Sequence, residues 1–141
     1  MHAVTVTCGF EAAHRLPQLP GKCQSLHGHS WRAAVTVSAA GLAAGGVLLE
    51  FGEWKTALRG WIDEHLDHGS ILGTADPLVP VLKAHGCKVH EMPGWPTVEL
   101  VAAMIGGVAR SLIGGQTRAP GAVVKGVRIR ETAVNEASWV P

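Results

Sequence analysis

Two runs of period-two alternation constrain this chain more than any other feature. From Val4 to His14 the even positions read Val4, Val6, Cys8, Phe10, Ala12 and His14. The odd positions read Thr5, Thr7, Gly9, Glu11 and Ala13. Such a pattern gives a strand with one buried and one wetter face, and it places His14 on the buried side. After a loop from Pro17 to Ser25, marked by prolines and a glycine, the alternation resumes. His27, His29, Trp31, Ala33, Val35 and Val37 share one face; Gly28, Ser30, Arg32, Ala34, Thr36 and Ser38 share the other. Two half-buried strands joined by a loop require a partner layer, which the rest of the chain has to supply.

That layer is read from helical spacing. A turn region at Gly41–Gly46 and a short strand, Val47 to Phe51, lead into a helix from about Glu53 to Leu66. Its stripe is Trp54, Leu58, Trp61, Ile62, His65 and Leu66. Gly69 to Gly94 contains three prolines and reads as irregular, with one short helical turn at Leu78 to Ala84. A second helix begins at Pro96-Thr97-Val98-Glu99, with Thr97 as N-cap and Glu99 favoured by the helix dipole. Its stripe is Leu100, Val101, Met104, Ile105, Val108 and Leu112, and Gly106-Gly107 weakens it locally. A mobile loop, Gly114 to Gly121, precedes a last strand, Ala122 to Thr132, with Val123, Val127, Ile129 and Glu131 on one face. The expected order is β-β-β-α-α-β: an α+β fold, one antiparallel sheet covered on one side by two helices, in a single domain over residues 1–141.

The 141 residues are 47% hydrophobic, enough for one core, and carry a formal net charge of +1 with no Lys/Arg run. This argues against a nucleic-acid partner. The N-terminus lacks the pattern of a signal peptide, and the apolar stretch Leu100 to Ala109 is too short to span a bilayer. Cys8, Cys23 and Cys87 do not have disulfide-framework spacing. A soluble cytoplasmic protein with no membrane partner is expected.

Three histidines in phase with buried faces point to a metal. His27 and His29 project the same way from one strand, and His14 projects beside them from a strand that can pair antiparallel. Imidazole is the commonest nitrogen ligand of zinc, and a catalytic zinc keeps three protein ligands and an open position. One such histidine alone reads as a core residue; three together read as a Zn2+ site, although imidazole also suits other first-row metals. Cys23, in the preceding loop, reads either as a fourth ligand closing a structural site or as a free thiolate base. Cys8 reads as a small buried hydrophobe. Asp67-His68 reads either as a proton-transfer pair or as a helix C-terminus with Gly69 as C′. Glu131 reads either as a paired core acid or as a carboxylate offered to an amidine-like ligand edge.

Taken together, Phe10-Glu-Ala-Ala-His14-Arg-Leu-Pro, Cys23-Gln-Ser-Leu-His27-Gly-His29-Ser-Trp, Leu49-Glu-Phe-Gly-Glu-Trp-Lys55, Leu66-Asp67-His68, Pro96-Thr97-Val-Glu99 and Arg130-Glu131-Thr132 resemble the 6-pyruvoyl-tetrahydropterin synthase / 6-carboxytetrahydropterin synthase family over nearly the whole chain. The resemblance implies zinc on His14, His27 and His29. It implies Cys23 as catalytic base, Asp67 and His68 as a second proton-transfer pair, and Glu131 as the pterin anchor, with Thr97 and Thr132 near the ring. It also implies the tunnelling fold, a four-stranded antiparallel sheet with two helices, assembled as a homohexamer with sites between subunits. Three residues between Cys23 and His27 resemble the carboxytetrahydropterin branch. The implied activity is conversion of 7,8-dihydroneopterin triphosphate to 6-carboxytetrahydropterin, feeding 7-deazapurine (queuosine-type) synthesis. A pyruvoyl-tetrahydropterin synthase and a noncatalytic zinc- or pterin-binding module are the alternatives. Two positions depart from the family pattern: Glu50, commonly Asp, and Ile71-Leu72, where the family has Leu-Asn.

Overall fold

The computed structural model describes residues 1–116 and 118–141. The two alternating segments form the strands β1 (His2–His14) and β2 (His27–Ala39), paired antiparallel residue for residue from His2↔Ala39 to His14↔His27. The expected faces hold. Val6, Cys8, Phe10, Ala12 and His14 are buried from β1, and Trp31, Ala33, Val35 and Val37 from β2. Cys8 is the buried small hydrophobe expected, and burial pushes its thiol pKa up.

The sheet is larger than the four antiparallel strands expected. It has six strands in the order β4-β3-β1-β2-β5-β6, adding β3 (Gly69–Gly73), β4 (Val89–Met92), β5 (Val123–Arg130) and β6 (Glu136–Trp139). It is mixed, because β3 runs parallel to β1 and β4 parallel to β3. The segment read as irregular, Gly69 to Gly94, is therefore a strand-helix-strand crossover. The anticipated helical turn is its helix α2 (Leu78–Ala84). Pro80 is tolerated there because the first turn of a helix has no intrahelical acceptor for its N–H groups. Ile71 and Leu72 are fully buried, as a central parallel strand requires. Strands of four and five residues are too short for a readable alternation.

Helices α1 (Phe51–His65) and α3 (Val98–Leu112) share one core with the buried face of the sheet. The strand expected at Val47 to Phe51 is no strand beyond a single bridge at Leu49. Glu50 is the N-cap of α1 instead, its carboxylate accepting from the Gly52 and Glu53 amides at 2.9 and 2.7 Å, so the helix starts at Phe51. Gly106 does more than weaken α3: a Cβ there would stand 2.3 Å from the Trp139 ring, so the glycine lets β6 pack on the helix. With its 3-10 continuation Ile113–Gly115, α3 is longer than the Leu100 to Ala109 stretch expected. By length and composition alone it could cross a bilayer. Its Val101, Ala102, Ile105, Gly106 and Ala109 are instead buried in this core.

Two corrections concern the C-terminal third. Part of the expected mobile loop, Gly114 to Gly121, is a tethered segment: the Arg118 and Ala119 amides donate to the Leu48 carbonyl, and Ala119 is buried. Thr117 lies outside the described residues. In β5 an irregularity in the pairing between Thr36 and Val37 inserts Lys125, so Val124 faces the core and Val123 is exposed. The face of Val127, Ile129 and Glu131 is as expected; Val123 is not part of it. The strand ends at Arg130, and Glu131 opens the turn into β6.

Candidate metal centre

The antiparallel register sets His14 directly opposite His27 and Ala12 opposite His29, so three imidazoles meet at one end of the β1–β2 ladder. One ligand nitrogen from each lies within 4.8 Å of the others. Ring centroids are 4.7 Å apart for His14–His27, 4.9 Å for His27–His29 and 5.1 Å for His14–His29. Trp31, two residues beyond His29 on the same face, stands edge-on to both His14 and His29 and is fixed by a 3.0 Å bond from its indole N–H to the Ala12 carbonyl.

The protons on two rings are fixed by backbone carbonyls. A carbonyl oxygen only accepts, so His14 Nδ1–H donates to Pro96 O at 2.8 Å, and His27 Nδ1–H donates to Ser25 O at 2.6 Å. In the neutral rings the Nε2 atoms then carry lone pairs, the arrangement that orients metal-binding histidines. Burial lowers the pKa of His14, against the Pro96 carbonyl and the Glu131 carboxylate, which favour charge. Burial also lowers that of His29, opposed by Glu131. His14 Nε2 and His29 Nε2 are buried without a hydrogen-bond partner. Glu131 Oε1 stands 3.2 Å from the first and 3.7 Å from the second. At His14 a carboxylate oxygen thus faces a nitrogen lone pair, and a cation between them reconciles the two. The donor set and these orphaned atoms fit a divalent zinc-like ion.

Cys23 lies in a 3-10 turn, Lys22–Gln24, partly buried, its carbonyl accepting from the Leu16 amide. Its thiol is not among the converging donors, so Cys23 does not join the three imidazoles. Asp67 and His68 do form a pair, His68 Nδ1–H donating to Asp67 Oδ2 at 2.8 Å. The Glu11 amide donates to Asp67 Oδ1, and the Glu11 carbonyl accepts from the His68 amide. The Glu11 N–H, and then His68, hold the Asp67 carboxyl below its ordinary pKa. The left-handed residue after α1 is His68, at φ 59°, and not Gly69. Gly69 begins β3 instead, and a Cβ there would meet Lys88 at 2.9 Å. His68, 80% exposed, lines one groove with His29, Glu11 and Ser30.

Thr97 caps α3 through the Leu100 amide at 3.3 Å and follows the Pro96 carbonyl that orients His14. Thr132 Oγ1 accepts from the Asn135 amide at 3.0 Å, closing the turn that carries Glu131. Sequence reasoning passed over Trp31, whose phase two residues after His29 marked it. It also passed over the Pro96 and Ser25 carbonyls, which leave no side-chain signature.

A family model described as 6-pyruvoyl tetrahydropterin synthase matches residues 3–140. The chain belongs to that family. A 6-carboxy-5,6,7,8-tetrahydropterin synthase of Rickettsia bellii is 36% identical over 95 residues, covering 66% of this chain and 69% of that protein. Among solved structures, an uncharacterized protein from Wolinella succinogenes superposes with TM-score 0.82 at 20% identity, covering 99% of this chain and 97% of that one. The Caenorhabditis elegans 6-pyruvoyl tetrahydropterin synthase superposes with TM-score 0.69 at 24% identity, covering 100% and 97%. These neighbours establish the fold, which this family member carries as a six-stranded mixed sheet with three α-helices.

Proposed function

We propose that this family member is a zinc-dependent lyase that converts 7,8-dihydroneopterin triphosphate to 6-carboxy-5,6,7,8-tetrahydropterin, releasing acetaldehyde and triphosphate. The observation that carries the reading is the cluster of His14, His27 and His29, with two Nε2 atoms buried and unpartnered and no thiol among the donors. The relative's name supports the carboxy product over the pyruvoyl one.

In this reading the three imidazoles hold zinc, which when bound supplies a Lewis acid that acidifies a side-chain hydroxyl. Cys23 removes a proton from the substrate side chain. His68, with its ring oriented by Asp67, moves protons on the opposite side. Glu131 receives the pterin 2-amino and N3–H edge as a bidentate acceptor, with Thr97 and Thr132 beside it. Edge-to-edge association of copies into a hexamer would cover the short outer strands β4 and β6. The product would feed 7-deazapurine synthesis in the cytoplasm.

The test is incubation of zinc-loaded protein with dihydroneopterin triphosphate and mass analysis of the products. Acetaldehyde with the carboxy pterin is the expected result. A pyruvoyl pterin assigns the other branch, and no turnover at full zinc content defeats the lyase reading. Cys23→Ala should retain zinc and lose turnover; loss of zinc instead would make Cys23 a ligand.

A further inference from the structure

The face of the sheet opposite the core carries an arginine cluster that the proposed chemistry does not use. Arg32 of β2 and Arg130 of β5 are register partners, directly opposite one another. Arg128 lies two residues along β5 from Arg130, its side chain 60% exposed and that of Arg130 53% exposed. Like charges directly opposite on a sheet are destabilising. The acid nearest them is Glu136, whose carboxylate is 3.9 Å from Arg128 Nε and 3.8 Å from Arg130 Nε, beyond hydrogen-bonding reach. Glu11, on the same face of β1, keeps its charge and accepts from the Ser30 hydroxyl at 2.8 Å, with no ion pair to these arginines. Among the described residues, Glu136 is thus the only acid within 4 Å of these three guanidinium groups.

Their position connects them to the metal centre. Pairing of β2 with β5 stops at Arg32↔Arg130, so the His27–Trp31 part of β2 has no β5 neighbour and lies beside the turn that holds Glu131. The opening is a groove of about 560 Å³ lined by His29, Ser30, Arg32, Arg130, Glu131 and Thr132, among others. Its lining thus includes one imidazole of the cluster, His29, together with both arginines.

We propose that Arg32 and Arg130, with Arg128 next to them, form an anion subsite for the terminal polyphosphate of the substrate, a proposal that rests on the pterin triphosphate reading above for the ligand's identity. The guanidinium fork matches phosphate oxygens bidentately, and two forks from adjacent strands suit a chain of phosphates better than a single anion. An incoming polyphosphate removes the Arg32–Arg130 repulsion.

The experiment is calorimetric titration with inorganic tripolyphosphate, zinc content being measured before and after so that stripping of metal is separated from binding. Wild type should bind, more weakly as salt rises. Arg32→Gln/Arg130→Gln should bind roughly tenfold or more weakly, Arg32→Lys/Arg130→Lys should fall between, and Arg110→Gln on α3 should match wild type. If the double Gln variant does not fold, each single variant replaces it. Unchanged affinity in the Gln variants overturns the subsite. So does a change in oligomer mass without a change in affinity, which would make the arginines a subunit contact. Titration needs no turnover: binding without turnover defeats the lyase reading and leaves the subsite, whereas turnover with unchanged KM in the Gln variants does the reverse.

Discussion

Asp76 offers the sharpest test of what holds the end of β1 beside the imidazole cluster. Its carboxylate is fully buried and takes two bonds from Arg15, at 2.7 Å from Nε and 2.6 Å from Nη2, and one from the Leu78 amide at 2.9 Å. Arg15 follows His14 and is 19% exposed. Asp76→Ala leaves a guanidinium largely out of water without its partner, which costs about 3–5 kcal/mol for a buried pair. The residual exposure of Arg15 allows partial rehydration and moves the expectation to the lower end, about 3 kcal/mol. With a urea slope of about 2 kcal/mol/M the midpoint should fall by about 1.5 M. Arg15 holds the Asp76 carboxyl below its ordinary pKa of 3.8, against burial and with help from the Leu78 amide. The pair's stabilisation is therefore complete above that value and drains as pH falls toward the lowered folded pKa. Asp76→Asn should lose this acid-range slope, and the difference between wild type and Asp76→Asn isolates it from Asp67 and Glu50. A midpoint shift equivalent to under about 1 kcal/mol in Asp76→Ala, or parallel acid limbs for wild type and Asp76→Asn, would refute the reasoning.

Three further outcomes are expected. His29→Ala should lower bound zinc, measured by elemental analysis, from about one per chain to a small fraction of that; retention of full metal would place the ion elsewhere. Gly106→Ala should lower stability despite a helix-propensity gain of about 1 kcal/mol, because overpacking against Trp139 costs about 1–3 kcal/mol. Gly107→Ala, which meets nothing within 4 Å, should gain about 0.5–1 kcal/mol; equal effects in thermal melts would contradict the contact. Thr97→Ala should cost about 1 kcal/mol through loss of the α3 N-cap, and Thr97→Ser should restore it.

The parts of the fold legible in the sequence were those with long, one-sided burial. The strands β1 and β2 alternate over thirteen residues each, and the stripes of α1 and α3 repeat over four turns. What escaped was short or locally irregular: the four-residue β4 and β6, and the phase change at Lys125. Glu50 was read as part of a strand because its role depends on two amides that follow it. At the centre, the convergence of His14, His27 and His29 followed from phase alone. The acceptor that fixes the His14 tautomer did not, since Pro96 is 82 residues away and contributes only a backbone oxygen.

The thirteen-rung β1–β2 ladder also separates what can vary in this family from what cannot. A one-residue slip between the strands would turn His27 and His29 outward together with the whole buried face of β2. The stretch that connects the strands, residues 15–26, is outside the ladder, and the entropy of closing it changes slowly with length. Insertions or deletions within residues 17–22 would leave the imidazole triangle in place while relocating Cys23, which rides on that connection. Changes of length confined to residues 17–22, which keep Arg15 and the Ser25 carbonyl in place, should therefore alter reaction outcome without altering metal affinity, which makes that part of the connection the natural place to engineer new chemistry on this scaffold.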